Sequence, residues 1–206
     1  MRTPLRLALA VLAILAGANA APARDEIDRT RADGFNQRLF ARPLAAKMTF
    51  ACFTRVHDGE HLAKHPQQKV AAMKLLVTAE HPPDDKAVTN YAFRLGFKYR
   101  HRASRFDSAG SCNHFTPEGA GDEIRLGCGV DCDGGGLNVA VSEDAKSVIV
   151  RLTRIRIWQN SKPDDDAEHS LVSGADDGIF RLERTDNREC AALVTDRKEL
   201  AALRRK

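Results

Sequence analysis

Between Thr89 and Arg100 the apolar residues Tyr91, Phe93, Leu95, Phe97 and Tyr99 alternate with Ala92, Arg94, Gly96, Lys98 and Arg100. A period of two puts the rings on one face of a strand and a mostly basic set on the other. From Met48 onward the chain repeats this kind of signal: short β-type runs separated by clusters of Gly, Pro and Asp. No long helical pattern lies between them. Eight to ten strands at such close spacing leave no room for crossover helices. The pattern therefore predicts an all-β domain, an antiparallel β-barrel or β-sandwich, rather than a βαβ architecture.

Details within the runs refine this expectation. Gly96 suggests a bend or bulge in its strand. In Ser147 to Trp158, Val148, Val150 and Leu152 share a face, after which Ile155 and Ile157 take it over. One extra residue near Thr153-Arg154 would reconcile the two halves, which predicts a β-bulge there. Ser142 to Lys146 reads as a hairpin turn, and Gly174 to Gly178 as a second one joining Leu171-Val172 to Ile179–Leu182. Ser161 to Ala167, with Pro163 and three aspartates, reads as an exposed loop. The organisation expected is a leader over 1–20, an arm over 21–45 that is flexible or partly helical around Phe35 to Phe40, one β-rich domain over 46–196, and a solvated basic tail over 197–206.

The leader has a physical signature. Arg2 and Arg6 flank a basic start, Leu7 to Ala16 is apolar, and Ala18-Asn19-Ala20 supplies small residues for a signal peptidase. Ten apolar residues are too few to span a bilayer. The expected product is exported, periplasmic or extracellular, and without a membrane span. Loss of Arg2 and Arg6 would reduce the net charge from +4 to +2. So mild a balance argues against a nucleic-acid binder, which needs many phosphate contacts.

Export changes how the cysteines read. Cys52, Cys112, Cys128, Cys132 and Cys190 are expected to be disulfide partners before metal ligands. If Ser111 to Thr116 pairs with Asp122 to Cys128, Cys112 falls almost opposite Cys128, within reach of a cross-strand bridge. Cys132 is then left to reach Cys190 or Cys52, with Cys128–Cys132 as the alternative bridge. An odd thiol remains, and the expectation is that it is buried and inert. Around it, 127–136 is glycine-rich and carries Asp131 and Asp133. As a calcium loop it lacks an oxygen ligand at Gly135 and a glutamate at Ser142, so a disulfide-pinned turn is the preferred reading.

His57-Asp58-Gly59-Glu60-His61 resembles the H-x-x-E-H pattern of the inverted zinc peptidases. The resemblance implies zinc held by His57 and His61, with Glu60 polarising a bound water. It covers five residues. Gly59 is a poor helix centre and Pro66 ends any helix, so an exposed linker carrying polar histidines is the competing expectation. Two basic stretches stand out, Lys98 to Arg102 with Arg105, and Arg151, Arg154 and Arg156. Either is a polyanion site or the wet face of a sheet. A phosphate loop, a serine nucleophile elbow and a Cys-x-x-Cys pair are all missing.

Taken together, these features predict a binding module for a small or surface-derived ligand, without a cofactor. Tyr91, Phe93, Phe97 and Tyr99 line the barrel interior, as ligand contacts or as core. The alternatives are a zinc hydrolase at His57, Glu60 and His61, and an interaction or inhibitor module using the loop 127–136 against a protein partner.

Overall fold

A computed structural model describes residues 27, 29–45, 47–85, 87–159 and 169–205. The leader over 1–20 and the loop Ser161 to Ala167 lie outside the described residues. Ten strands form in chain order: β1 (Met48–Val56), β2 (Val70–Glu80), β3 (Asn90–Tyr99), β4 (Arg105–Phe115), β5 (Arg125–Gly129), β6 (Gly135–Val141), β7 (Ser147–Arg156), β8 (Trp158–Gln159), β9 (Ser170–Val172) and β10 (Ile179–Thr185). All pair antiparallel. Strands β1 to β7 meander, and β10 bridges β7 and β1 to close an eight-stranded barrel. Two short strands extend the wall: β8 pairs with β4 and β9 with β7.

Closure lets the alternation of each strand fill one core. Phe53, Met73, Leu75, Phe93, Leu95, Phe97, Leu126, Val139, Val150 and Leu182 point into a shared interior. Each such side chain withdrawn from water contributes about 1.5–3 kcal/mol. The bulge in β7 stands where the pattern puts it. Gly135 pairs with Ile155 and Leu137 with Leu152, so β7 carries one extra residue at Thr153-Arg154. Gly96 holds no bulge: its register with Lys74 and Asp107 runs unbroken. A Cβ there would instead overlap the Leu193 side chain lying against the outer wall.

The expected hairpin through Gly174 to Gly178 is corrected as well. β9 pairs with Arg154–Arg156 and β10 with Ser147–Arg151, so both run along the same edge of β7. Residues 173–178 are an excursion from that edge, tied to β7 by Ser173 N to Thr153 O and Leu152 N to Gly178 O.

Two disulfides fasten this frame. Cys112 and Cys128 face each other across β4 and β5 and are bonded, with Cα atoms 4.0 Å apart. Cys52 of β1 is bonded to Cys190. Cys132 is left free and lies exposed, contrary to the expected buried thiol. It sits in a tight turn between β5 and β6, where Cys132 and Asp133 are both left-handed with φ of 57°.

Neither chain end of the described region is a loose tail. A helix, α1 (Arg29–Phe40), sets Phe35, Leu39 and Phe40 into the barrel core, and Ala41 at φ 52° terminates it. The C-terminal segment, a 3-10 turn (Asn187–Leu193) followed by a helix (Arg197–Leu203), packs on the outer wall. There Phe50, Cys52, Leu76, Cys190, Val194 and Leu203 form a second cluster. Arg94 makes a two-pronged ion pair with the buried Glu199. The basic outer face of β3 is therefore partly covered, and the segment read as a solvated tail is a packed element.

Candidate functional site

The two ends of the barrel differ. At the first, α1 acts as a plug. Arg184 of β10 donates to the α1 carbonyls of Arg38 and Leu39 and to Ala145 O, while its guanidinium lies 4.7 Å from the Phe53 ring centre. A cation at a helix C-terminus meets both the unpaired carbonyls and the negative end of the helix dipole. Asn36, buried in α1, donates from Nδ2 to the Tyr91 hydroxyl at 2.8 Å. Its carbonyl therefore faces His114, whose Nε2 donates at 3.0 Å. Burial raises the Tyr91 pKa, against hydrogen bonds from Asn36 and Thr89, and lowers that of His114, against the pull of Asp33. The hollow beside this plug is large, about 1060 Å³, yet Asn36, Tyr91 and His114 are already joined to one another.

At the opposite end a cleft of about 550 Å³ enters the barrel mouth. Tyr99 and Phe106 line it with rings 5.1 Å apart, alongside Ile157, Leu171 and Val172. Phe97 stacks on Phe106 from the core side at 5.8 Å. Arg102 stands over both lining rings, 5.1 Å from Tyr99 and 5.8 Å from Phe106. Burial pushes the Tyr99 phenol up, Arg102 draws it down and Asp177 adds a smaller upward push, so the hydroxyl stays a donor at neutral pH. The rim is braced from behind. The wholly buried carboxylate of Asp177 accepts from Lys69 N at 2.8 Å and Val70 N at 3.1 Å. Arg100 donates to the carbonyls of Leu62 and His65.

A third feature adjoins this mouth. β10 pairs with β1 only over Cys52 to Thr54, and beyond Thr54 the two strands part. The seam is occupied by His57, His61 and His65, stacked face to face at 4.3 and 4.4 Å. A six-residue helix, α2 (Gly59–Lys64), makes the stack, with Asp58 capping it by accepting from His61 N. The histidine stretch is thus neither a plain linker nor a long helix. His61 Nε2 donates to Gln68 Oε1 at 2.8 Å, because the Gln68 amide nitrogen is spent on Val70 O. Both ring nitrogens of His57 are out of solvent without a hydrogen-bond partner. Desolvation, with His61, Arg55 and His65 adding to it against Asp177, lowers the His57 pKa to about 4.

Stacked rings direct their nitrogen lone pairs along parallel planes, not toward one ion. Glu60 points to Lys64 at 2.6 Å instead of into the stack. Among the described residues no group of three or more His, Cys, Asp or Glu is placed to hold a metal, at His57, Glu60 and His61 or at Asp131 and Asp133. Only 130–134 of the glycine-rich stretch lie outside strands; Gly135 and Gly136 let strands approach, since a Cβ on them would overlap the Arg154 and Cys128 carbonyls.

Of the four aromatics expected to line a site, the structure separates three from the cleft. Phe93 and Phe97 are core, 1% and 3% exposed, and Tyr91 belongs to the plug. Tyr99 lies in the cleft. Sequence reasoning missed Phe106, Ile157, Leu171 and Lys69, which come from four separate segments and meet only on barrel closure. The basic stretch Lys98 to Arg102 was the one legible signal for this region. No protein-family model, curated protein sequence or solved structure matches the chain.

Proposed function

We propose that the protein is an exported binding module that receives one small ligand in the mouth of the barrel opposite α1. The observation that carries this reading is the asymmetry of the ends. One is plugged by Phe35, Leu39 and Phe40, and the polar groups of the hollow beside that plug, Asn36, Tyr91 and His114, are joined to one another; the other holds a cleft of about 550 Å³ lined by Tyr99, Phe106, Ile157 and Leu171. Apolar walls with a few placed polar groups are the usual make-up of a small-molecule site. Barrels of eight strands have interiors just wide enough for side chains or one small ligand. Here the interior is packed, so the ligand sits at the entrance. The two disulfides and the leader-like start support an exported location. Among the described residues no helix is long and apolar enough to cross a membrane.

The test is a thermal-shift screen of the mature protein against small apolar and amphipathic molecules, repeated with Tyr99→Ala and Tyr91→Phe. A hit should stabilise the wild type and Tyr91→Phe but not Tyr99→Ala. If no compound stabilises the wild type, or hits survive Tyr99→Ala, the mouth is not the site.

A further inference from the structure

The chemistry of the cleft narrows what it accepts. Thirteen of the described residues line it, and five of them are Lys, Arg or His: Lys69, Arg100, His101, Arg102 and His169. None of the thirteen carries a carboxylate. Among the described residues, the eight ion pairs include none of these five. Asp177 is wholly buried behind the rim and committed to the Lys69 and Val70 amides. Beneath the cations the surface turns apolar and aromatic, with Arg102 lying on the Tyr99 and Phe106 rings.

A cationic rim over an apolar floor selects for a molecule built the same way in reverse. We infer that the ligand is a small amphipathic anion, with an alkyl or aryl body on Tyr99, Phe106, Ile157 and Leu171 and a carboxylate or phosphate head at Arg102 and Lys69. The inference rests on the mouth being the binding site and adds the sign and shape of the ligand. A guanidinium can hold either head through paired N–H donors. A neutral ligand of the same body would offer Arg102 and Lys69 no opposite charge. A dedicated polyanion site is the lesser fit, because these basic residues line a single cleft of about 550 Å³.

Calorimetric titration of the mature protein at pH 7 and low salt separates the possibilities, using decanoate, decyl phosphate and decanol as probes. The inference predicts that at least one of the two anions binds, that decanol binds at least about tenfold more weakly, and that Arg102→Gln removes most of that difference. Rising salt should weaken the anion and leave decanol unchanged. Whichever of decanoate and decyl phosphate binds more tightly identifies the head group. Equal binding of decanol and the anions, or unchanged anion affinity in Arg102→Gln, overturns the anionic class while leaving the mouth as a site. Failure of all three probes to bind, with Tyr99→Ala indistinguishable from wild type, overturns the mouth itself. Retention only on vesicles containing phosphatidylglycerol, with no binding of the monomeric anions, overturns the small-ligand class in favour of a membrane surface.

Discussion

Tyr91 and Tyr99, the chain's two tyrosines, stand at opposite ends of the same face of β3. Both are half-buried phenols with raised pKa values, and each has a titratable or basic group at its ring, His114 for Tyr91 and Arg102 for Tyr99. The difference lies in what covers them. Over Tyr91 a helix brings its own partner, Asn36, and Arg184 ties that helix down. Among the described residues no helix covers Tyr99; α2 and the 173–178 excursion brace the rim from the side and leave the ring facing a cleft. One strand thus supplies a tyrosine covered by a helix and one that faces a cleft. Neither residue type nor local pattern distinguishes them.

The largest effect that separates the ends is expected from removing the plug. Phe35→Ala deletes a fully buried ring and should cost about 3–5 kcal/mol in chemical denaturation, whereas Arg102→Gln at the open end should stay within about 0.5 kcal/mol of wild type. Equal losses would mean that the open end is also structural. Breaking the Cys52–Cys190 bridge, which closes 138 residues, should cost about 4–5 kcal/mol by chain entropy; the bridge closing 16 residues, Cys112–Cys128, should cost about 3. Paired Cys→Ser variants compared by denaturant midpoint check the order.

Arg184→Met keeps the packing on Phe53 and removes the bonds to the α1 carbonyls, so a loss of about 2–3 kcal/mol is expected. Hydrogen exchange should then rise in α1 and not around Tyr99. A general loss of protection would place Arg184 in the global core and not in the plug.

Acid should act on both ends through imidazoles held neutral. An unfolded histidine titrates near its ordinary value of 6.5, and folded His57 near 4. Between those values the unfolded chain binds more protons. Stability is therefore complete above about pH 6.5 and falls as the pH drops toward 4. His114, also lowered by burial, acts in the same direction. At His57, Asp177 opposes the effect, while His61, Arg55 and His65 add to it. His57→Phe keeps a ring in the stack and removes the charge, so its melting temperature should fall less steeply across this window. An identical slope would exclude the stack as an acid-sensitive element.

An all-β antiparallel architecture, barrel or sandwich, was legible because alternation in β1 to β7 is local, and so was the β7 bulge, where two phases of one pattern collide; closure was not, since it needs β10 to meet β1. The Cys112–Cys128 bridge followed from a hairpin register. What was not legible depends on pairing at a distance. Cys52 meets Cys190 across 138 residues. Gly174 to Gly178 looks like any turn until β7 is seen to pair on both sides of it. The cleft escaped for the same reason, since Lys69, Tyr99, Phe106, Ile157 and Leu171 share no spacing.

The most direct test is a two-dimensional amide NMR titration of the mature protein with decanoate. The account predicts shift changes concentrated at Lys69, Tyr99, Arg102, Phe106 and Leu171, with Asn36, Tyr91 and His114 unmoved. Changes centred on α1 and Tyr91, or none at saturating ligand, would contradict it.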